Sequence, residues 1–174
     1  MTSLPRGGAA RQFSPATRRG FAVLGAVSAG LLVLSACDKP TAVATVTIGS
    51  DSVNSEATCW NGGSKIDEKK LQQCLQDKGE GDSGDGAEVK TVKVDTEADV
   101  HIGVDPKIAD KGWTILMNGQ PLTDASKKTF RTIPGSVFFN QQYGASGDST
   151  VLSILENDGS SATGLWSFKL EKES

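Results

Sequence analysis

The residues of this chain that could do chemistry most readily are three cysteines and one histidine, Cys37, Cys59, Cys74 and His101. Zinc sites in proteins are built from cysteine and histidine, usually with closely spaced pairs such as C-x-x-C. No two cysteines here have that spacing, and there is a single histidine. Blue copper requires two histidines and a free cysteine. The sequence therefore predicts no metal site and no cofactor.

Cys37 follows an N-terminal segment with the composition of an export signal. The first 19 residues contain four arginines and no acidic residue, and the seventeen residues 20–36 are uncharged. A basic segment followed by an apolar one is typical of a secretory signal peptide. As a helix, the uncharged segment would span about 25 Å, which is less than a bilayer's hydrocarbon core of about 30 Å. We therefore predict that residues 1–36 are a signal peptide.

The segment ends in Leu34-Ser35-Ala36-Cys37, which resembles the bacterial lipobox Leu-[Ala/Ser]-[Gly/Ala]-Cys at every position. The resemblance implies that the Cys37 thiol receives a diacylglyceryl group and that cleavage leaves Cys37 as the first mature residue. Each buried methylene contributes about 0.8 kcal/mol, so two acyl chains form a stable anchor. The expected location is extracytoplasmic, with the lipid bilayer as partner of the acylated Cys37. An uncleaved transmembrane anchor with an idle thiol is the alternative.

Cys59 and Cys74 then remain as an even pair in an oxidising compartment, where disulfides persist. A bond between them would close a loop of about fifteen residues and add roughly 3 kcal/mol in the chain-entropy model. Two free thiols, or a metal-binding pair, are the alternatives. We expect the disulfide.

Hydrolytic catalysis would depend on His101, because a Ser-His-Asp triad needs a histidine base. Strand alternation places His101 opposite the apolar side chains of Val100 and Ile102, which favours a solvated position. The G-x-S-x-G motif of α/β-hydrolases is missing, since Gly-Ala-Ser-Gly at 144–147 lacks the closing glycine. We predict no catalytic residue.

Three stretches are candidates for binding: 112–122, 134–143 and 157–164. The second holds Phe138 and Phe139 side by side, and in a regular strand adjacent side chains point to opposite faces. One of them would then be exposed and, with Tyr143, would form an apolar partner surface. The alternative is that the segment bends and both phenylalanines join the core.

Length and charge limit the class of protein. Cleavage after residue 36 leaves 138 of the 174 residues, a length typical of one domain. Removing the four leader arginines from 18 basic residues leaves 14 against 21 acidic ones, a net charge of −7. An acidic domain argues against nucleic-acid binding, which needs clustered Lys and Arg, and against peripheral attraction to anionic lipid. We interpret the charge as favouring solubility.

The mature chain divides into a lipidated tether at 37–42 and a domain at 43–174. The domain contains a helical insert at 57–79 and an acidic loop at 79–88. The loop is rich in Gly, Asp and Glu and lacks the D-x-D-x-D-G spacing of calcium sites, so we predict a flexible surface loop.

The insert has the signals of one short helix. Asp67 is a candidate N-cap, and Ile66 and Leu71 fall at the positions of a hydrophobic staple. Cys74 and Leu75 continue the helical spacing, and Gly79 is a plausible stop. The expected disulfide would pin this helix to the preceding segment.

The rest of the domain reads as short strands separated by Gly, Pro and Asn-Gly turn signals, with one helical turn at 106–112. The strands are expected at 43–48, 89–94, 100–104, 113–117, 128–133, 150–155 and 165–170. We predict a mainly β fold, an immunoglobulin-like β-sandwich with one short disulfide-pinned helix. Its predicted core is Val92, Val94, Val100, Ile102, Val104, Trp113, Ile115, Phe130, Ile154, Trp166 and Phe168.

The lipobox, the Cys59/Cys74 insert and the segment 104–113 together resemble uncharacterised actinobacterial lipoproteins, a family of unknown function. The resemblance covers the mature chain, implies a surface location and brings no site residues. The expected function is a non-enzymatic binding or accessory module of the cell envelope, with an envelope protein or peptide as partner. An envelope-modifying enzyme with a site around His101, and a small-ligand or metal carrier, are the alternatives.

Overall fold

The computed structural model of the chain describes residues 41–76 and 87–173. The predicted signal peptide, the lipobox at 34–37, the tether up to residue 40 and the acidic loop up to residue 86 lie outside the described residues. None of the described helices has both the length and the apolar character needed to cross a bilayer.

The described chain is built from ten strands and two short helices. The strands are β1 (Ala44–Ile48), β2 (Asp51–Ser55), β3 (Cys59–Trp60), β4 (Lys90–Val94), β5 (Asp99–Val104), β6 (Trp113–Met117), β7 (Gln120–Pro121), β8 (Phe130–Pro134), β9 (Ser149–Asn157) and β10 (Ala162–Lys172). The α-helices are α1 (Glu68–Gln76) and α2 (Pro106–Lys111), and 3-10 helices occupy Gly135–Phe139 and Gln141–Tyr143.

The strands form two sheets. The first has the order β2-β1-β5-β8, and all its pairs are antiparallel. The second has the order β3-β10-β9-β6-β7, and β4 runs parallel to the C-terminal half of β10. The mainly β prediction is confirmed, together with its short helix and disulfide. The immunoglobulin-like arrangement stays a prediction.

The two sheets bury their facing sides in one core. In β1 the side chains of Ala44, Val46 and Ile48 are buried, and the threonines between them point to the other side of the sheet. Their register partners in β5 are inward-facing valine and isoleucine. Every predicted core residue except Phe130 is buried.

The placement of Phe130 in the core is wrong, because its side chain is 65% exposed. Strand β8 begins at Phe130, and Ile133, which lies opposite Val100, is its core residue. Side chains alternate along a strand, so Phe130 must point to the outer face, where it lies opposite Gly103.

The insert is closed at its base and carries α1. The Ala87 N–H donates to the Ala57 carbonyl at 3.0 Å, so the insert starts and ends at one place. A disulfide joins Cys59 of β3 to Cys74 of α1, with 6.0 Å between the Cα atoms, which confirms the predicted bond. The helix begins after Asp67 as predicted, while the predicted stop at Gly79 lies outside the described residues.

Helix α1 covers the outer face of the second sheet. Leu116 and Leu165 point away from the main core, because their strand neighbours point into it. They form a second apolar cluster with Cys59 and Ile66, and Leu71 and Leu75 of α1 pack against it. The described domain therefore has three layers, two sheets and a disulfide-bonded helix.

The domain has two distinct ends. Helix α2 connects β5 of the first sheet to β6 of the second. The last residue of β5 and the first residue of β6 therefore lie at the same end of the domain. The indole Nε1 of Trp166 donates to the Ala42 carbonyl at 2.8 Å and holds the start of the described chain there. We call this the Ala42 end; it comprises Ala42, α2, residues 126–130 and the turn 157–161. The Tyr143 end comprises the Asn118-Gly119 turn and residues 135–148.

Candidate functional site

His101 lies on the outer face of the first sheet. Its Nδ1 atom is 2.9 Å from the hydroxyl of Thr132 on β8, and both side chains are exposed. Thr47 lies opposite His101 on β1 and bonds across to Ser52 of β2. His101 therefore belongs to a row of cross-strand polar contacts on an open sheet face.

The aromatic segment bends, so the regular strand that would expose one phenylalanine does not form. Residues Gly135–Phe139 form a 3-10 helix in which Phe138 is fully buried and Phe139 packs partly against the core. The inclusion of Phe138 in a partner surface is therefore wrong. Tyr143, in the following 3-10 helix, is 50% exposed.

The bend is possible because residue 135 is glycine. A Cβ at Gly135 would lie 2.5 Å from the Asp95 carbonyl oxygen and 2.8 Å from that of Ala98. The Gly135 N–H donates to the same Ala98 carbonyl at 2.8 Å. The chain can therefore turn tightly against residues 95–98, and this turn carries Phe138 into the core.

The candidate stretch 112–122 is mostly structural. It contains β6, whose Trp113, Ile115 and Met117 are buried. The Asn118-Gly119 hairpin is confirmed, with φ of 48° and 80° at these two residues. The Asn118 side chain accepts from the Val151 N–H and donates to the Gly144 carbonyl, both at 3.0 Å. This amide is thus engaged in holding two loops together.

A cavity of about 410 Å³ lies at the Tyr143 end, between the end of α1 and the start of β9. It is lined by Leu75, Asn118, Gly144, Ser146, Ser149, Thr150, Val151 and Lys169. The Lys169 ammonium group pairs with Glu171 at 2.9 Å. The Thr150 hydroxyl is buried without a partner, but alternation along β9 directs it to the opposite face from Val151. It therefore points toward the core side of the sheet.

A buried carboxylate forms the cluster that sequence reasoning missed. The Glu156 side chain is 2% exposed, and its Oε1 atom accepts from the Thr163 hydroxyl at 2.6 Å and from the Lys111 ammonium at 2.8 Å. Lys111, at the end of α2, is 35% exposed. The ion pair neutralises a carboxylate that is enclosed between the two sheets at the Ala42 end.

An aromatic ring lies beside this ion pair, and a second ring packs against the first. The Lys111 ammonium lies 5.7 Å from the ring centroid of Trp60, within cation–π range. Trp60 and Trp166 meet edge to face with centroids 6.1 Å apart. The signal was present in the sequence, because Glu156 continues the inward positions of Leu152 and Ile154 in β9 and a charge at such a position requires a partner.

A second missed feature is an exposed strip that runs from the loop before β8 into the first residue of that strand. Lys127, Lys128, Thr129 and Phe130 are all exposed. The Lys128 carbonyl accepts from the Trp113 indole at 2.7 Å, and the Thr129 carbonyl accepts from the Val104 N–H at 2.8 Å. The backbone of the strip is thus fixed while its side chains face solvent.

Within residues 41–76 and 87–173, no three His, Cys, Asp or Glu side chains converge as a metal site would require. The fold and these contacts define a mainly β domain with a disulfide-bonded helix and a buried ion-paired carboxylate at one end. Comparison with protein-family models, with curated proteins and with solved structures finds no match to this chain.

Proposed function

We propose that this protein is an extracytoplasmic lipoprotein, anchored by acylated Cys37, that serves as a non-enzymatic binding or accessory module of the cell envelope. The leader and the lipobox motif support export and lipidation. The observation that carries the proposal is the Cys59–Cys74 disulfide, since such bonds persist in exported proteins and are rare in the cytosol.

The engagement of the reactive side chains supports a binding module over an enzyme. Cys59 and Cys74 bond to each other, so neither is a free thiolate nucleophile. The Glu156 carboxylate is committed to Lys111 and Thr163. A rigid scaffold held by such contacts suits a domain that presents a surface to an envelope protein or peptide.

Lipidation is tested on the protein from its producing cells. Cys37→Ala is expected to release the protein or to leave an uncleaved precursor, because the thiol that carries the acyl chains is gone. The control is Cys59→Ala/Cys74→Ala, which keeps Cys37 and is expected to stay in the detergent phase. Mass spectrometry of the wild-type N-terminal peptide should show an acylated cysteine. An unmodified thiol, or a Cys37→Ala protein of mature size that still partitions into detergent, would refute the proposal.

The binding role is tested with a photo-crosslinking phenylalanine analogue in intact cells. At Tyr143, which is half exposed, the analogue is expected to yield a discrete adduct with an envelope component. The control places the same analogue at His101, on the polar sheet face. Equal labelling at both sites, or none at either, would argue against Tyr143 as part of a partner surface.

A further inference from the structure

We propose that the Ala42 end of the domain rests on the lipid headgroups of the membrane, with Phe130, Lys127 and Lys128 as the contacting side chains. This inference rests on the lipid anchor proposed above. It adds an orientation and a second, non-covalent contact between the folded domain and the bilayer.

The first step is the length of the tether. Five Cα-to-Cα steps separate Cys37 from Ala42. A fully extended chain spans at most about 3.6 Å per residue, so Ala42 can lie no more than about 18 Å from the acylated cysteine. The end of the domain that holds Ala42 must therefore stay close to the bilayer.

The second step is that Ala42 is fixed to the domain. The Trp166 indole donates to its carbonyl at 2.8 Å, and the Asp105 N–H donates to the carbonyl of Val43 at 3.0 Å. These bonds join the start of the described chain to β10 and to the residue before α2. A short tether that ends at a fixed point limits how far the domain can turn away from the membrane.

The third step is the position of the exposed strip. Ala44 lies opposite Val104, and the Val104 N–H is bonded to the Thr129 carbonyl. Neighbouring strands lie about 4.8 Å apart, so residue 129 is about 10 Å from Ala44 across the sheet. Phe130 and the two lysines before it thus lie beside the point where the tether enters.

The chemistry of the strip fits a headgroup layer. Phe130 exposes 65% of its surface, and Lys127 and Lys128 lie three and two residues before it. Phenylalanine and basic side chains are typical of protein surfaces that lie at the membrane interface. Lys107 on α2 adds a third exposed cation, while the exposed Asp110, Asp124 and Asp158 and the half-buried Asp105 at the same end oppose these cations. Because these charges nearly balance, the acyl chains supply the affinity and the strip supplies the orientation.

The orientation has a consequence for the opposite end. Strand β10 has 11 residues, which at about 3.3 Å each cover about 35 Å. Because β10 runs from the 157–161 turn to Lys172, which is bonded to Asp148, it spans the distance between the two ends. Tyr143 then lies at the end away from the membrane, which envelope partners can reach.

The test compares two tryptophan variants, Phe130→Trp and Tyr143→Trp, each of which replaces an exposed aromatic ring at one end of the domain. The acylated protein is reconstituted into phosphatidylcholine/phosphatidylglycerol vesicles with and without brominated acyl chains. The quenching of the wild-type tryptophans is subtracted, and flotation of the vesicles reports the anchor. The Phe130→Trp emission is expected to be quenched at least about fivefold more strongly than that of Tyr143→Trp, because interfacial side chains sit about 5–10 Å into the headgroup boundary.

The outcomes separate the two proposals. Protein that floats with the vesicles while its Tyr143→Trp emission is quenched as strongly as, or more strongly than, that of Phe130→Trp would overturn the orientation and leave the anchor standing. Floating protein in which neither variant is quenched would also overturn it and would leave the strip as a surface for another protein. Protein that does not float would refute the anchor and the orientation with it.

Discussion

Gly164 is the residue that allows two tryptophans to meet at the Ala42 end. A Cβ at this position would lie 2.6 and 2.8 Å from ring carbons of Trp166 and 3.0 Å from the ring of Trp60. Both rings are packed and one is fully buried, so neither can move away freely. We expect Gly164→Ala to lower the free energy of unfolding by about 1–3 kcal/mol, as overpacking does in other cores. Urea denaturation measures the change.

Gly103 is the matched control for Gly164. It is also a strand glycine, but a Cβ there would meet its nearest atoms only at 3.9 and 4.0 Å, in ordinary contact. Gly103→Ala is expected to be neutral or slightly stabilising, because alanine restricts the unfolded chain more than glycine does. Equal losses in the two variants would show that steric contact at the tryptophan pair is not the cause.

Lys111 and Glu156 are expected to respond unequally to substitution. The enclosed Glu156 carboxylate accepts from Lys111 and from Thr163. Lys111→Met would remove the first of these two donors and leave the Thr163 hydroxyl. Loss of one partner of a fully buried pair costs about 3–5 kcal/mol. The ammonium group is 35% exposed, so we expect a smaller loss, about 1–3 kcal/mol. Glu156→Gln should lower the free energy of unfolding by less, since the amide oxygen of glutamine can still accept from Thr163. Thermal denaturation compares the two variants.

Lys107→Met is the control on the same helix. Lys107 is exposed, so its replacement is expected to change stability by no more than about 0.5 kcal/mol. If Glu156→Gln destabilised the protein more than Lys111→Met, an unpaired buried carboxylate could not be the reason for the difference between the two variants.

The positions of Glu156 and Phe130 show what the alternation of side chains along a strand can predict and what it cannot. Once Ile133 is placed in the core, alternation puts Arg131 on its side of the sheet and Phe130 outside. Residue type suggested a core phenylalanine, and the register of β8 overrides that preference. For Glu156 the register was readable from β9, but the partner Lys111 is 45 residues away and only the fold brings them together.

At the scale of elements, α1 depends on the disulfide more than on its own packing. None of its residues is fully buried, and it contacts the second sheet through Leu71, Cys74 and Leu75. An isolated helix of nine residues is marginal in water. We expect Cys59→Ala/Cys74→Ala to lower the free energy of unfolding by about 2–4 kcal/mol, since the bond closes a loop of 15 residues.

Hydrogen exchange distinguishes local from global loss in that variant. Amides of α1 should exchange much faster, while those of β9 and β10 in the sheet below should keep most of their protection. Chemical reduction of the wild-type protein should reproduce the pattern. Uniform loss of protection across both regions would contradict the view that the disulfide holds one layer onto an independently formed pair of sheets.

The elements that the sequence predicts are those with the clearest pattern of residue types. Helix α1 was found from its capping and spacing signals, and β1, β5, β6 and β10 from their β-branched and aromatic positions. Strand β2 was missed because Asp51–Ser55 contains a single valine, and its pairing with β1 depends on backbone hydrogen bonds that any sequence can make. The bend at Gly135 depends on carbonyls from residues 95–98, which no local pattern reveals.

At the scale of the whole molecule, the pairing of distant segments was beyond the sequence. The parallel alignment of β4 with β10 joins residues nearly 80 positions apart, and β3 joins the same strand from the insert. Strand patterns predict that a segment is extended and which face is buried, but not its neighbour. The shared end of the two sheets, where Ala42 and the exposed strip lie, therefore emerged only from the fold.

Two tryptophans each hold a different segment at the Ala42 end, and replacing either one should release only the segment that it holds. Trp166 donates to the Ala42 carbonyl, and Trp113 donates to the Lys128 carbonyl. Loss of a partly buried hydrogen bond and of ring volume should lower the free energy of unfolding by about 1–3 kcal/mol in both Trp166→Phe and Trp113→Phe. Stability alone will not separate the two variants.

Amide hydrogen exchange distinguishes the two variants, because each tryptophan stabilises a different nearby backbone hydrogen bond. Trp166→Phe should speed exchange of the Asp105 amide, which is bonded to Val43 next to the released residue. Trp113→Phe should speed exchange of the Val104 amide, which is bonded to Thr129 in the exposed strip. In the anchored form proposed above, in which the tether enters at Ala42, the first variant should also loosen the hold of the anchor on the domain, and the second should free the strip while the entry point stays fixed. The same exchange pattern in both variants would mean that the Ala42 end responds as one unit and that these two contacts are not separate.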